Sequence, residues 1–262
     1  MADAATGNPR VADYSEWRAR DYYDTYYSQV ILPDEQAVLA YQISAMRSAR
    51  RRFNRALEYG CGPTLHRAIA ASGYANRIDM SDWLAENLVA VRDWVAANGN
   101  NRDWRRFTQY VVALEGNPIA GDAELLARED RARRSIRGLY VSDARWRDPL
   151  GSRHRGFYDL LISGFCLDAI SDDKAVWRNC MANMLSMLAP EGLVVVHFLN
   201  RCTAYKCGPR LFPGADLSVD DVHIALEEEG CEASSIDVQL IPCPDNAEFG
   251  YTGILTASAR KA

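Results

Sequence analysis

The run Arg55-Ala56-Leu57-Glu58-Tyr59-Gly60, continued by Cys61-Gly62-Pro63-Thr64, constrains this chain more than any other stretch. A short strand that reads as buried ends in two glycines one residue apart and then opens a helix. Such a turn brings backbone close to a ligand, because glycine tolerates the left-handed region and carries no Cβ. In an open α/β sheet the turn lies outside the carboxyl ends of the strands, where ligands bind.

The rest of the chain supplies that sheet. Strands are predicted at 55–60, 75–79, 136–141, 158–165, 192–199, 236–241 and 250–259. Helices are predicted at 13–27, 34–53, 64–72, 82–97, 172–188 and 219–229, and Pro190-Glu191-Gly192 reads as a turn. In the helix at 82–97, Leu84, Leu88, Val91 and Val95 recur at helical spacing. The stretch 158–165 is mostly apolar, centred on Leu160-Leu161-Ile162, as strands covered on both faces are. Alternating strands and helices define a doubly wound, mostly parallel seven-stranded α/β sheet. The last two strands are joined by a loop alone, so they must pair antiparallel. Residues 1–53 form an N-terminal helical cap and 54–262 the core, with a less regular insertion at about 99–135 that holds an apolar patch at 110–117 and then a charged helix at 123–135. At 262 residues this is one domain.

Composition narrows the function. Thirty basic against 35 acidic side chains leave a net charge of -5, which disfavours nucleic acid as a partner. Seven cysteines without a CxxC pair, and four histidines without ligand spacing, point to neither a disulfide framework nor a metal site. The first residues lack the apolar core of a signal peptide, and no apolar run is long enough to span a bilayer. A monomeric cytoplasmic protein acting on a small molecule, with no membrane partner, is the expectation.

The glycine loop selects among ligands. A dinucleotide site requires a third glycine where Leu65 stands, and no Gly-Lys-Ser/Thr follows to make a P-loop. Asp79, nineteen residues after Gly60, is placed at the end of the second strand, where a carboxylate accepts ribose hydroxyls. A ribose acid beside a loop without phosphate chemistry fits S-adenosyl-L-methionine.

Further motifs carry a resemblance. Arg20-Asp21-Tyr22 with Tyr26-Tyr27, the Gly60–Thr64 loop, Ala113-Leu114-Glu115-Gly116-Asn117, Phe165-Cys166-Leu167-Asp168-Ala169 and Ala259-Arg260-Lys261 together resemble the nicotinamide, phenylethanolamine, indolethylamine and thioether S-methyltransferase family. The resemblance implies the class I methyltransferase fold and a donor site. In it Tyr22 and Tyr27 close over the methionine moiety, and Gly60, Cys61, Gly62 and Thr64 line its end. Asp79 holds the ribose, Asn87 reaches the adenosine, Asp143 and Ala144 flank the adenine, and Gly164 sits beside the cofactor. It also implies an acceptor-binding acid at Asp168, four residues past Gly164.

Methyl transfer from a sulfonium needs alignment, water exclusion and a free lone pair on the acceptor. The aromatic run 14–27 suits the sulfonium, since π faces attract cations. Asp168 is the expected base toward an amine, with Tyr22 and His197 as further catalytic candidates and Phe165 as an apolar wall. His197 stands where nicotinamide-methylating members carry an acid, which makes nicotinamide a doubtful substrate. Phe198 would enlarge the aromatic wall, Arg201 and Tyr205 would receive a polar group of the acceptor, and Tyr251 would face the pocket. The expected activity is N-methylation of a small amine or nitrogen heterocycle. The alternatives are transfer to sulfur, carboxylate or carbon, and non-catalytic cofactor binding.

Overall fold

The computed structural model describes residues 11–98 and 102–262. Seven strands form one sheet: β1 Phe53–Tyr59, β2 Ala75–Asp82, β3 Ile136–Val141, β4 Tyr158–Gly164, β5 Leu188–Leu199, β8 Asp237–Pro242 and β9 Gly253–Arg260. Their spatial order is β3-β2-β1-β4-β5-β9-β8, with β9 antiparallel to both of its neighbours and the other strands parallel. The expected sheet is therefore present. The strand order reverses between β1 and β4, and the crevice at that switch point is where such sheets bind ligands.

Alternation along the strands sorts the core onto two faces. Ala56, Leu160, Ile162 and Val195 pack on one side with Leu39 and Ile43 of α2 (Pro33–Ser48), Ile69 of α3 (His66–Ala71), Leu88 and Trp94 of α4 (Ala85–Val95), and Phe107 of α5 (Arg105–Leu114). Leu57, Leu161, Val194, Val196 and Phe198 pack on the other with Trp177 and Met181 of α7 (Lys174–Leu185) and Leu226 of α8 (Val219–Glu228). The strand period of two makes neighbouring residues face opposite layers. That parity decides which side chains reach the site.

The structure differs from the sequence expectation at several points. The helix expected at 13–27 is confined to Ala19–Tyr26. β2 runs three residues further, to Asp82. The insertion holds the expected charged helix, α6 (Asp122–Ser135), which starts with a Gly121/Glu124 capping arrangement, but also a second helix, α5, where only an irregular apolar patch was expected. The turn at Glu191 (φ 62) is a bulge inside β5, where the pairing with β4 jumps from Tyr158↔Leu188 to Leu160↔Leu193. A hairpin, β6 Ala204–Cys207 and β7 Arg210–Pro213, turns at Gly208 (φ 56) and was not expected. It braces the cap helix α1 (Ala19–Tyr26): the Tyr26 hydroxyl donates to Lys206 O, and Gly208 N donates to Thr25 Oγ1 at 3.3 Å.

Candidate functional site

The glycine loop closes over the tips of β1 and β2. Gly60 has φ 66 and Gly62 φ 57. A Cβ on Gly60 would stand 2.0 Å from Cys166 Sγ, so both conformation and space demand glycine there. Thr64 Oγ1 donates to Cys61 O (2.7 Å), and Cys61 N donates to Ser81 O (2.9 Å), which fixes the loop against β2. A cleft opens beside it, lined by Tyr22, Gly60, Cys61, Gly62, Thr64, Asn87, Asp143, Ala144 and Gly164 among others. Those nine expected cofactor residues are therefore brought together. From the N-terminal segment, Val11 pairs with Ser171 and Tyr14 donates to Ala169 O (2.8 Å), so this strap forms another wall.

Asp79 is not in the cleft. It sits mid-sheet, paired with Leu57 and Gly138, and its carboxylate accepts from Arg77 Nε (3.1 Å) and the Tyr158 hydroxyl (3.1 Å). Three residues of strand place it about 10 Å below the tip. Asp82 is the acid at the tip: Oδ2 accepts from Gly62 N (2.8 Å), and Oδ1 accepts from Leu84 N (2.8 Å) and Asn87 Nδ2 (2.9 Å). Burial raises its pKa, while these N–H donors oppose that rise. The displaced acid also explains the spacing to Asn87: Asp82 is five residues before it, within reach across one helical turn. At the end of β3, Asp143 is chelated by Arg145 (2.6 Å and 2.9 Å). Burial works against ionisation there, but the guanidinium bonds hold the carboxyl below its ordinary value.

A second, deeper hollow adjoins the cleft. Tyr22, Phe165, Ala169 and Tyr205 line both spaces and so form the passage between them. Phe165 holds a left-handed backbone (φ 55), uncommon for a bulky residue and often found at functional sites. Asp168 lies in the hollow. Its Oδ2 accepts from Leu199 N (2.8 Å), while buried Oδ1 has no partner. Burial pushes its pKa up to about 7, with the Leu199 N–H opposing.

Three charged residues of this region escaped the sequence reading. Asp34, in the first turn of α2, accepts from the Tyr251 hydroxyl (2.7 Å) and Asn246 Nδ2 (2.8 Å). Burial, then the charge of Glu35, raises its pKa. Glu35 accepts from the Tyr27 hydroxyl (2.8 Å) and Arg67 (3.1 Å), with His66 Nε2 3.1 Å from Oε2. Burial opposes its ionisation, yet Arg67 and His66 hold it at about 2. Acids in a first helical turn look like ordinary dipole partners in sequence, and only the packing shows them facing inward.

Other expectations fail or shift. Tyr27 lines the hollow rather than the cleft, its hydroxyl 3.4 Å from that of Tyr22. Tyr205 and Tyr251 line the hollow. His197 does not. Strand parity turns it toward α2, where it meets the Tyr41 ring edge-on at 6.1 Å, and neither ring nitrogen has a partner. Burial, then the charge of Arg67, lowers its pKa to about 3, so it is a neutral core imidazole. Phe198 turns the opposite way and packs against Trp177 at 5.7 Å. Arg201 is 60% exposed and lies 3.8 Å from Asp216.

A reversed parallel sheet with an antiparallel β9, a glycine cleft at the switch point and an acid at the β2 tip define the class I S-adenosylmethionine-dependent methyltransferase fold. Solved structures agree. N-methyltransferase NodS from Bradyrhizobium japonicum, in complex with S-adenosylhomocysteine, superposes with a TM-score of 0.52 at 15% identity over 88% of each chain. The didemethyltoxoflavin N-methyltransferase of Burkholderia thailandensis, with bound substrate and S-adenosylhomocysteine, gives 0.51 at 13% identity over 93% of this chain and 87% of its own. The chain belongs to the NNMT/PNMT/TEMT family, whose model matches residues 10–262. Indolethylamine N-methyltransferase of Mus musculus is 24% identical over 95% of each chain. Nicotinamide N-methyltransferase of Sus scrofa is 27% identical over 70% of this chain and 67% of its own. Phenylethanolamine N-methyltransferase of Homo sapiens is 22% identical over 71% of this chain and 65% of its own, so the match spans about two thirds of these last two relatives. The protein is a methyltransferase, and S-adenosyl-L-methionine is its methyl donor. Among the described residues, no helix is long and apolar enough to cross a membrane.

Proposed function

We propose that this enzyme N-methylates a small amine or nitrogen heterocycle held in the hollow beside Asp168, with the donor in the adjoining cleft. The observation that carries the reading is Asp168 itself: a buried carboxyl with one unpaired oxygen, poised near neutrality, in a space that meets the cleft at Tyr22 and Phe165. In the cleft, Asp82 in place of Asp79 takes the ribose, with Asn87 oriented by the same carboxylate. Asp143 and Ala144 flank the adenine. The donor set suits a phosphate-free ligand, since the cleft's cations are Arg67 and Arg145, and Arg145 is tied to Asp143.

The donor brings an activated methyl group. This chain aligns and shields the transfer. Tyr22 and its aromatic neighbours, Trp17 (5.4 Å) and Tyr26 (5.2 Å), present π faces to positive charge and keep water out. Phe165 and Tyr205 wall the passage, so an acceptor nitrogen must approach in line. Asp168 accepts the acceptor's N–H through Oδ1 and takes its proton, while Leu199 N keeps the carboxyl oriented through Oδ2. His197 lines neither space and does not act as the base.

The test is S-adenosylhomocysteine release across a panel of arylalkylamines, aliphatic amines, pyridines, thiols and carboxylates. Turnover with amines or heterocycles, lost in Asp168→Asn, supports the reading. Turnover confined to thiols, carboxylates or carbon acids contradicts it.

A further inference from the structure

Arg67 is a buried cation of the cleft, held at one end by Glu35. It belongs to the short helix α3, its side chain is 3% exposed, and it lines the cleft on the side of Gly164 and Tyr22. Its side chain crosses β4 at Gly164, where a Cβ would stand 2.6 Å from Nε. Its guanidinium lies 5.4 Å from the centre of the Phe165 ring. One nitrogen, Nη2, donates to Glu35 at 3.1 Å and 3.4 Å, whereas buried Nε has no partner.

A guanidinium offers five donors in a planar fork, and a buried donor left unpaired is costly. Glu35 grips one edge of the fork only. The remaining donors match a second carboxylate, which a guanidinium binds in bidentate fashion. The cleft's other ionisable side chains are Asp82, Asp143, Arg145, Cys61 and Cys166 with the tyrosines. The two acids repel an anion, and Arg145 is occupied at the β3 end. We propose that Arg67 holds the carboxylate of the donor's aminoacyl tail, and that Glu35, which also lines the acceptor hollow, is the positioning residue that aims Arg67 at it. The inference rests on the cleft being the donor site.

Calorimetry of the full chain tests it with two ligands, S-adenosylhomocysteine and its decarboxylated analogue, against wild type, Arg67→Met and the double variant Glu35→Gln/Arg67→Met. The double variant leaves no lone buried charge and guards against a misfolded single variant. Wild type should bind S-adenosylhomocysteine roughly 10–100-fold tighter than the analogue, the range of one charge-assisted contact, and both variants should bind the two ligands alike. Equal affinity of wild type for both ligands, or undiminished discrimination in either variant, overturns the role of Arg67 while leaving the cleft as the donor site. Failure of wild type to bind either ligand overturns the donor site itself.

Discussion

Replacing Asp168 with asparagine separates function from stability. The ionised carboxylate is disfavoured by burial: its pKa stands at about 7 against an ordinary 3.8. At 1.36 kcal/mol per pH unit, the fold disfavours the anion by about 4 kcal/mol. Because the raised pKa makes the folded state bind the proton more tightly, wild-type stability falls as pH rises from about 4 to about 7 and is level above. Asparagine removes that penalty and keeps an oxygen for Leu199 N, but buries an amide nitrogen where Oδ1 has no partner, which costs about 1–3 kcal/mol. The net gain at pH 8 is about 1–3 kcal/mol, and at pH 4 the variant is no more stable than wild type. Urea melts at both pH values measure this. Transfer to an amine should fall by about 100-fold or more, the range for a lost general base, while S-adenosylhomocysteine affinity stays within about twofold. Wild-type turnover in the variant, or a stability difference that is the same at pH 4 and pH 8, would refute the reasoning.

Three further substitutions probe the site. Asp82→Asn should weaken S-adenosylhomocysteine binding by roughly 10-fold or more in calorimetry, whereas Asp79→Asn should leave affinity unchanged and lower thermal stability by loosening Tyr158 and Arg77. Gly60→Ala places a side chain at φ 66 and against Cys166, so melting should drop by at least the 1–2 kcal/mol of a left-handed alanine and donor binding should be lost with it. His197→Met keeps the volume and removes two unpartnered nitrogens; acceptor KM and the pH profile should not move, and a shift in either would return the imidazole to the active site.

The sheet was legible because short apolar runs, such as Leu160-Leu161-Ile162 and Val194-Val195-Val196, alternate with helical stretches, and the glycine loop because few backbones need that pattern. Strand ends were not. Asp79 and Asp82 both follow the glycines at plausible distance, and only the pairing of Ser81 with Tyr59 shows that β2 reaches the tip three residues later. The placement of His197 follows from parity, since Val195 shares its face and Val196 does not, but the sequence does not say which face holds the site. Arg67, Asp34 and Glu35 were hidden for another reason. Each occupies a helical position where a charge ordinarily points to water, and each is turned inward by partners more than 30 residues away, as with Arg67 on Glu35 and Tyr251 on Asp34.

The central claim is spatial: the donor's sulfur lies at the junction of cleft and hollow, between Tyr22 and Phe165, facing Asp168. A crystal structure with S-adenosylhomocysteine and an amine acceptor measures it directly. The account predicts ribose oxygens on Asp82 and the acceptor nitrogen within hydrogen-bond distance of Asp168 Oδ1, in line with the sulfur. An acceptor bound on any other side of the sulfur, with Asp168 out of reach, would contradict it.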